Sequence, residues 1–131
     1  MFAGGSLLFL LTFLVLSSAP AASWQNDEDR DEIEQGRAAD KEIEAQYGFY
    51  EDEELGAYVT SIGDRMARLS ERPNLPWTFR VLDSPAVNAF ALPGGFVYVT
   101  RGLVAYAGSE AELAGVIGHE IGHVTGRHSR G

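Results

Sequence analysis

His119 and His123 stand four residues apart on either side of Glu120, within a run from Ser109 to Arg127 rich in alanine, glycine and aliphatic residues. Residues four apart lie on one face of an α-helix, so a helix here directs both imidazoles at a single point. Ser109 precedes Glu112 by three, a capping box that marks the helix start. Leu113, Val116, Ile117, Ile121 and Val124 then carry the helix toward Arg127. Gly118, Gly122 and Gly126 form a stripe at i, i+4, i+8, with Gly115 just off it. Each glycine costs a helix about 1 kcal/mol relative to alanine. The stripe predicts a second backbone, a strand or another helix, close along that side; the alternative is a weak helix that frays.

The chemistry of these residue types is specific. Zinc accepts imidazole nitrogen at about 2.0–2.1 Å, and two such ligands on one helix make half of a tetrahedral site. Glu120 lies about 100° further round, beside the ion without binding it. That is the position for a base acting on water made acidic by the metal, taking a proton as the water attacks a carbonyl. Two surface histidines pairing with a glutamate would account for the same spacing. The chain has only 3 histidines, however, and two of them flank a glutamate in an apolar setting. The third, His128, is five residues past His123 and points about 140° away, so it reads as a non-ligand. With Arg127 it suits the negative end of the helix dipole.

A chain of 131 residues has room for one small domain. Residues 1–22 read as a signal peptide: Leu7 to Leu16 is nearly unbroken hydrocarbon and Ala19-Pro20-Ala21 offers a small-x-small exit. An uncleaved membrane anchor is the second reading, and either way the charged part lies outside the cytoplasm. All 19 acidic and 10 basic residues lie beyond Ser23, a net charge of −9 that argues against nucleic acid as a partner. With no cysteine there is no disulfide and no thiolate ligand.

Residues 23–30 read as an acidic, solvated linker, followed by a helix from Asp31 to Gln46 with a thin apolar stripe through Ile33 and Ile43. Leu55, Tyr58, Val59, Ile62, Met66 and Leu69 place one buried face on a helix over 52–69. The prolines and Asn74 of 70–76 make a loop, and Trp77 to Leu82 alternates as a half-buried strand. Val87 to Leu92 and Phe96 to Thr100, joined by Pro93-Gly94-Gly95, form a hairpin, with a short helix over 102–107.

Glu112 to Val124 with Arg127-His128, the segment Asn88-Ala89-Phe90-Ala91-Leu92-Pro93-Gly94-Gly95, and Val99-Thr100-Arg101-Gly102-Leu103 resemble the zinc metallopeptidase family that includes BepA, HtpX and the mitochondrial Oma-type proteases. Gly36, Arg37 and Tyr47-Gly48 are similar to its periplasmic, BepA-like branch. The resemblance implies an α+β fold: a mostly helical, zincin-like metallopeptidase domain with a small β-sheet or hairpin. Residues 31–131 would be its N-terminal portion, incomplete at the C-terminus. It implies His119 and His123 as ligands of one Zn²⁺ per subunit, Glu120 as catalytic base, and a third ligand downstream of Gly131. It makes Asn88, Ala89, Phe90 and Ala91 an edge strand pairing with extended substrate; on the residues alone an ordinary hairpin strand accounts for them equally well.

The expected activity is a zinc-dependent endopeptidase of the periplasm acting on misfolded envelope proteins. Its expected partners are protein and peptide substrates, among them outer-membrane proteins and their assembly machinery. The membrane is engaged only through an uncleaved N-terminal segment. A truncated, non-catalytic module that binds clients through its edge strand is the alternative. A metal-independent helical anchor protein is the third reading, which a zinc-insensitive melting midpoint would favour.

Overall fold

The computed structural model describes residues 26–130, and side chains through residue 126. The expected signal peptide, residues 1–22, lies outside the described residues. The first helix, α1 (Asp27–Tyr47), starts four residues before the expected Asp31. The Asn26 side chain caps it by accepting from the Asp29 amide at 2.7 Å, and Asp27, Glu28 and Asp29 occupy the positive end of its dipole. The acidic run from 26 onward is therefore a capped first turn rather than a linker. Gly48, at φ 78°, closes the helix by donating to the Glu44 carbonyl.

The second helix, α2 (Glu53–Arg68), is capped by Asp52 and buries Val59, Ile62, Gly63 and Ala67, with Leu55 and Met66 packed beside them. Tyr58 and Leu69, expected on that face, are exposed, Leu69 because it is the C-cap where the helix ends. Three strands follow: β1 (Thr78–Leu82), β2 (Ala89–Leu92) and β3 (Phe96–Thr100). A short helix, α3 (Arg101–Tyr106), is capped by the Thr100 hydroxyl, and α4 (Glu110–Arg130) ends the described chain. The expected hairpin is present, with β2 antiparallel to β3 and both Gly94 and Gly95 at positive φ in its turn. The sheet order is β1-β3-β2, with β1 parallel to β3, so β3 is central and buried at every position.

Burial of β3 on both faces requires a layer on each side. On one side Phe79, Val81, Val97 and Val99 meet Val59 and Ile62 of α2 and Leu113, Ile117 and Ile121 of α4. On the other, Leu82, Phe96 and Tyr98 are covered by Ile43 and Tyr47 of α1 with Phe49, Phe90 and Leu92. β1 alternates as expected, Phe79 and Val81 buried and Thr78 and Arg80 only partly so, except that Leu82 on the second parity is also fully buried. The order is helix, sheet, helix pair, an α+β architecture as expected.

α1 reaches the sheet through contacts that its composition hides. An ideal Cβ on Gly36 would lie 2.2 Å from the Pro93 carbonyl oxygen and 2.8 Å from the Phe96 ring. Buried Asp40 accepts from Arg80 Nε and Nη2 at 2.9 and 2.8 Å and from the Tyr98 hydroxyl at 2.5 Å. Burial disfavours its charged form, but the Arg80 fork and the Tyr98 hydroxyl outweigh burial, and Asp40 titrates below its ordinary value.

Gly36→Ala is expected to destabilise the fold by about 1–3 kcal/mol, because carbonyl oxygen cannot yield as a flexible side chain can; urea denaturation measures it. The Asp40 contribution is complete above the ordinary carboxylate pKa. It drains away as pH falls below that value through the lowered folded one. Acid titration of Asp40→Asn should accordingly show a flatter loss of stability on the acid limb than the parent chain.

Candidate metal centre

α4 begins as its capping pattern predicts. The Ser109 hydroxyl accepts from the Glu112 amide at 3.2 Å, while the Glu112 carboxylate reaches back to the Gly108 amide at 3.0 Å, one residue earlier than the usual box. Leu113, Ile117, Ile121 and Val124 are buried and fix the rotation of the helix about its axis. That rotation leaves His119 and His123 exposed and turns Glu120 inward to 8% exposure.

The two imidazoles converge. Their Nε2 atoms lie 3.0 Å apart, with ring centroids at 4.5 Å and planes at 84°. Two nitrogens at about 2.0–2.1 Å from one tetrahedral ion would be separated by ~3.3 Å. The observed spacing therefore suits a shared ion with a small adjustment. One ligand atom from each of His119, Glu120 and His123 lies within 4.8 Å of the others, so the three could hold a metal together. Equally, Glu120 can stand beside an ion held by the two histidines.

The segment Asn88–Ala91 divides by parity. β2 is the outer strand beyond β3, and no strand among the described residues pairs with its other edge. Ala89 and Ala91 pack on the side of α2 and α4, and Ala91 also touches the cluster around Val124. Phe90 faces away, 5.0 Å from the Tyr98 ring and 6.2 Å from Tyr47. Asn88 lies just outside the strand: its amide donates to the Thr100 hydroxyl at 3.2 Å, and its side-chain oxygen accepts from the Ala89 amide at 2.9 Å.

The expectation of a backbone packed along the glycine stripe is not met among the described residues. A Cβ on Gly122, Gly126 or Gly115 would meet nothing within 4 Å, and one on Gly118 would meet only the flexible end of Met66, at 2.5 Å. The close backbone approaches are elsewhere, at Gly36 and at Gly102, where a Cβ would lie 2.1 Å from the Pro85 carbonyl oxygen. The side chain of His128 lies outside those described.

Sequence reasoning missed Arg72. Its buried guanidinium binds Asp29 and Glu32 of α1 and reaches the carbonyl of Val124, the residue after His123. An arginine in a proline-flanked loop gives no local signal of this. The only hint is an acidic helix that lacks enough apolar residues to bury a face unaided.

The profile of Peptidase family M48 matches residues 53–131, more than half of the chain. The chain is 42% identical over 74 residues to a putative beta-barrel assembly-enhancing protease of Vibrio cholerae, covering 56% of this chain and 15% of that protein. It is 38% identical over 74 residues to the beta-barrel assembly-enhancing protease of Escherichia coli K12, with the same 56% and 15% coverage. It is 45% identical over 62 residues to the mitochondrial metalloendopeptidase OMA1 of Arabidopsis thaliana, covering 47% of this chain and 13% of that one. The chain thus spans about a seventh of the length of these relatives.

With open space beside it, Gly122→Ala in the 131-residue chain is expected to stabilise α4 by up to about 1 kcal/mol. A thermal melt measures this; a lowered midpoint would reveal a neighbour along the stripe.

Proposed function

Because the chain belongs to Peptidase family M48, by its match over residues 53–131, we propose that it carries the catalytic helix of a zinc-dependent metalloendopeptidase. The observation that carries the reading is the convergence of the His119 and His123 Nε2 atoms at 3.0 Å, with Glu120 beside them. His119 and His123 would hold the ion, and a ligand from outside this sequence would complete the site. Zinc bound there supplies a Lewis acid that polarises the scissile carbonyl and acidifies water.

Glu120 is the base. It accepts a proton as water oxygen adds to the peptide carbonyl carbon, and gives that proton to the amine nitrogen as the C–N bond breaks. Its inward position limits contact with bulk water and keeps the carboxylate fixed beside the imidazoles. β2 offers its outer edge to an extended peptide, which pairs with the backbone of 88–91.

The periplasm is the proposed location, supported by the apolar run Leu7–Leu16 and by the bacterial relatives' names. Among the described residues no helix is long and apolar enough to cross a membrane. Misfolded envelope proteins, outer-membrane proteins among them, are the proposed substrates, and their assembly machinery the proposed partner.

The test uses the full reading frame. Glu120→Gln should retain bound zinc by elemental analysis while cleavage of an unfolded protein falls by about 10²–10⁴-fold. His119→Ala and His123→Ala should lose both. Cleavage that survives Glu120→Gln removes the base assignment. A zinc-free parent that binds unfolded peptide without cutting it supports a client-binding module instead.

A further inference from the structure

We propose that Arg72 is a positioning residue for the metal helix, holding α4 with Glu32 in register with the β2–β3 turn. The inference rests on His119 and His123 being metal ligands, as proposed above.

The guanidinium side chain is 8% exposed. Nη1 and Nη2 fork onto Glu32 Oε2 and Oε1 at 3.1 and 3.0 Å, and Nη2 also donates to Asp29 Oδ1 at 3.0 Å. Nη1 makes one further bond, long at 3.4 Å, to the Val124 carbonyl oxygen. Glu32 Oε2 accepts in turn from the Gly94 amide at 3.0 Å. One buried pair therefore touches three elements: α1, the turn that closes β2 onto β3, and α4 one residue past His123.

An independent contact grips the same point. The Val124 side chain, 2% exposed, sits in a cluster with Ile33 and Leu75, backed by Trp77 and Ala91. The Trp77 indole donates to the Arg72 carbonyl at 2.9 Å, fixing the loop that bears the guanidinium. Backbone and side chain of Val124 are thus both held. The turn of helix carrying His123 cannot rotate or slide without breaking one of these contacts.

Two imidazoles meet one ion only while the helix face keeps its direction, and groups that orient ligands usually matter 10–100-fold for metal affinity. Only arginine fits the role. Its planar fork serves both Glu32 oxygens, Asp29 and Val124 at once, whereas lysine is a point charge with three donors.

Arg80 provides the control. It forks onto buried Asp40 on the opposite face of the sheet and, among the described residues, makes no hydrogen bond or ion pair to α4. The full reading frame is compared with Arg72→Lys and Arg80→Lys. Stability is measured by urea denaturation, Zn²⁺ affinity by chelator competition, and ligand geometry by the visible absorption of Co²⁺-substituted protein. Both variants should lower the urea midpoint. Arg72→Lys alone should weaken Zn²⁺ binding about 10–100-fold and change the Co²⁺ bands; Arg80→Lys, remote from the site, should leave both unchanged.

Unaltered Zn²⁺ affinity in Arg72→Lys, or an equal loss in both variants, overturns the proposal. Should Arg72→Lys fail to fold, Glu32→Gln carries the same readouts: it keeps an acceptor but not the charge, and should weaken Zn²⁺ binding in the same direction. A parent protein that binds neither Zn²⁺ nor Co²⁺ refutes the metal reading itself, an outcome distinct from failure of the positioning role.

Discussion

Removing one partner of a buried ion pair costs about 3–5 kcal/mol, because the other charge is left unpaired. α1 turns three carboxylates, Asp29, Glu32 and Asp40, toward the protein, and each meets a guanidinium. This matters beyond the pairs themselves. α1 is the layer over Leu82, Phe96 and Tyr98, and its own apolar contribution to that face is little more than Ile43 and Tyr47. Arg72 and Arg80 are what let so acidic a helix lie on the sheet. With that layer in place β3 can be buried on both faces, and a buried β3 in turn holds β2 in place alongside α4.

On the other side of the sheet, the metal helix is fixed by ordinary apolar packing. Leu113, Ile117, Ile121 and Val124 define its inner face. One residue of rotation separates the exposed histidines from inward Glu120. A single helical register thus divides the labour: two side chains reach out toward an ion and the third is screened beside them.

Much of this was legible in local pattern. The spacing from Leu55 to Met66, the capping box at Ser109 and Pro93-Gly94-Gly95 all act over a few residues, and α2, α4 and the hairpin formed where those signals stood; the cap at Asn26 went unread, and α1 began four residues early. The parallel pairing of β1 with β3 was not legible, because it joins strands separated by a whole hairpin arm. Nor was the inner face of α1, since a carboxylate on a helix reads as solvated until its cation is found forty residues away. Glycine misled for a related reason. A glycine shows that close approach is allowed, not that it occurs: Gly36 and Gly102 use the freedom, while Gly122 and Gly126 face open space.

The separation of 40 residues, shared by Glu32–Arg72 and Asp40–Arg80, has a consequence during synthesis. Ribosomes add about 5–20 residues per second, so α1 precedes its cations by about 2–8 s. Its other neighbours, the Pro93 carbonyl and the Phe96 ring, are made later still. For that interval the nascent segment is a charged, well-solvated helix former with nothing to dock on. Its acidity, which demands buried arginines in the finished protein, keeps the waiting chain from sticking to others.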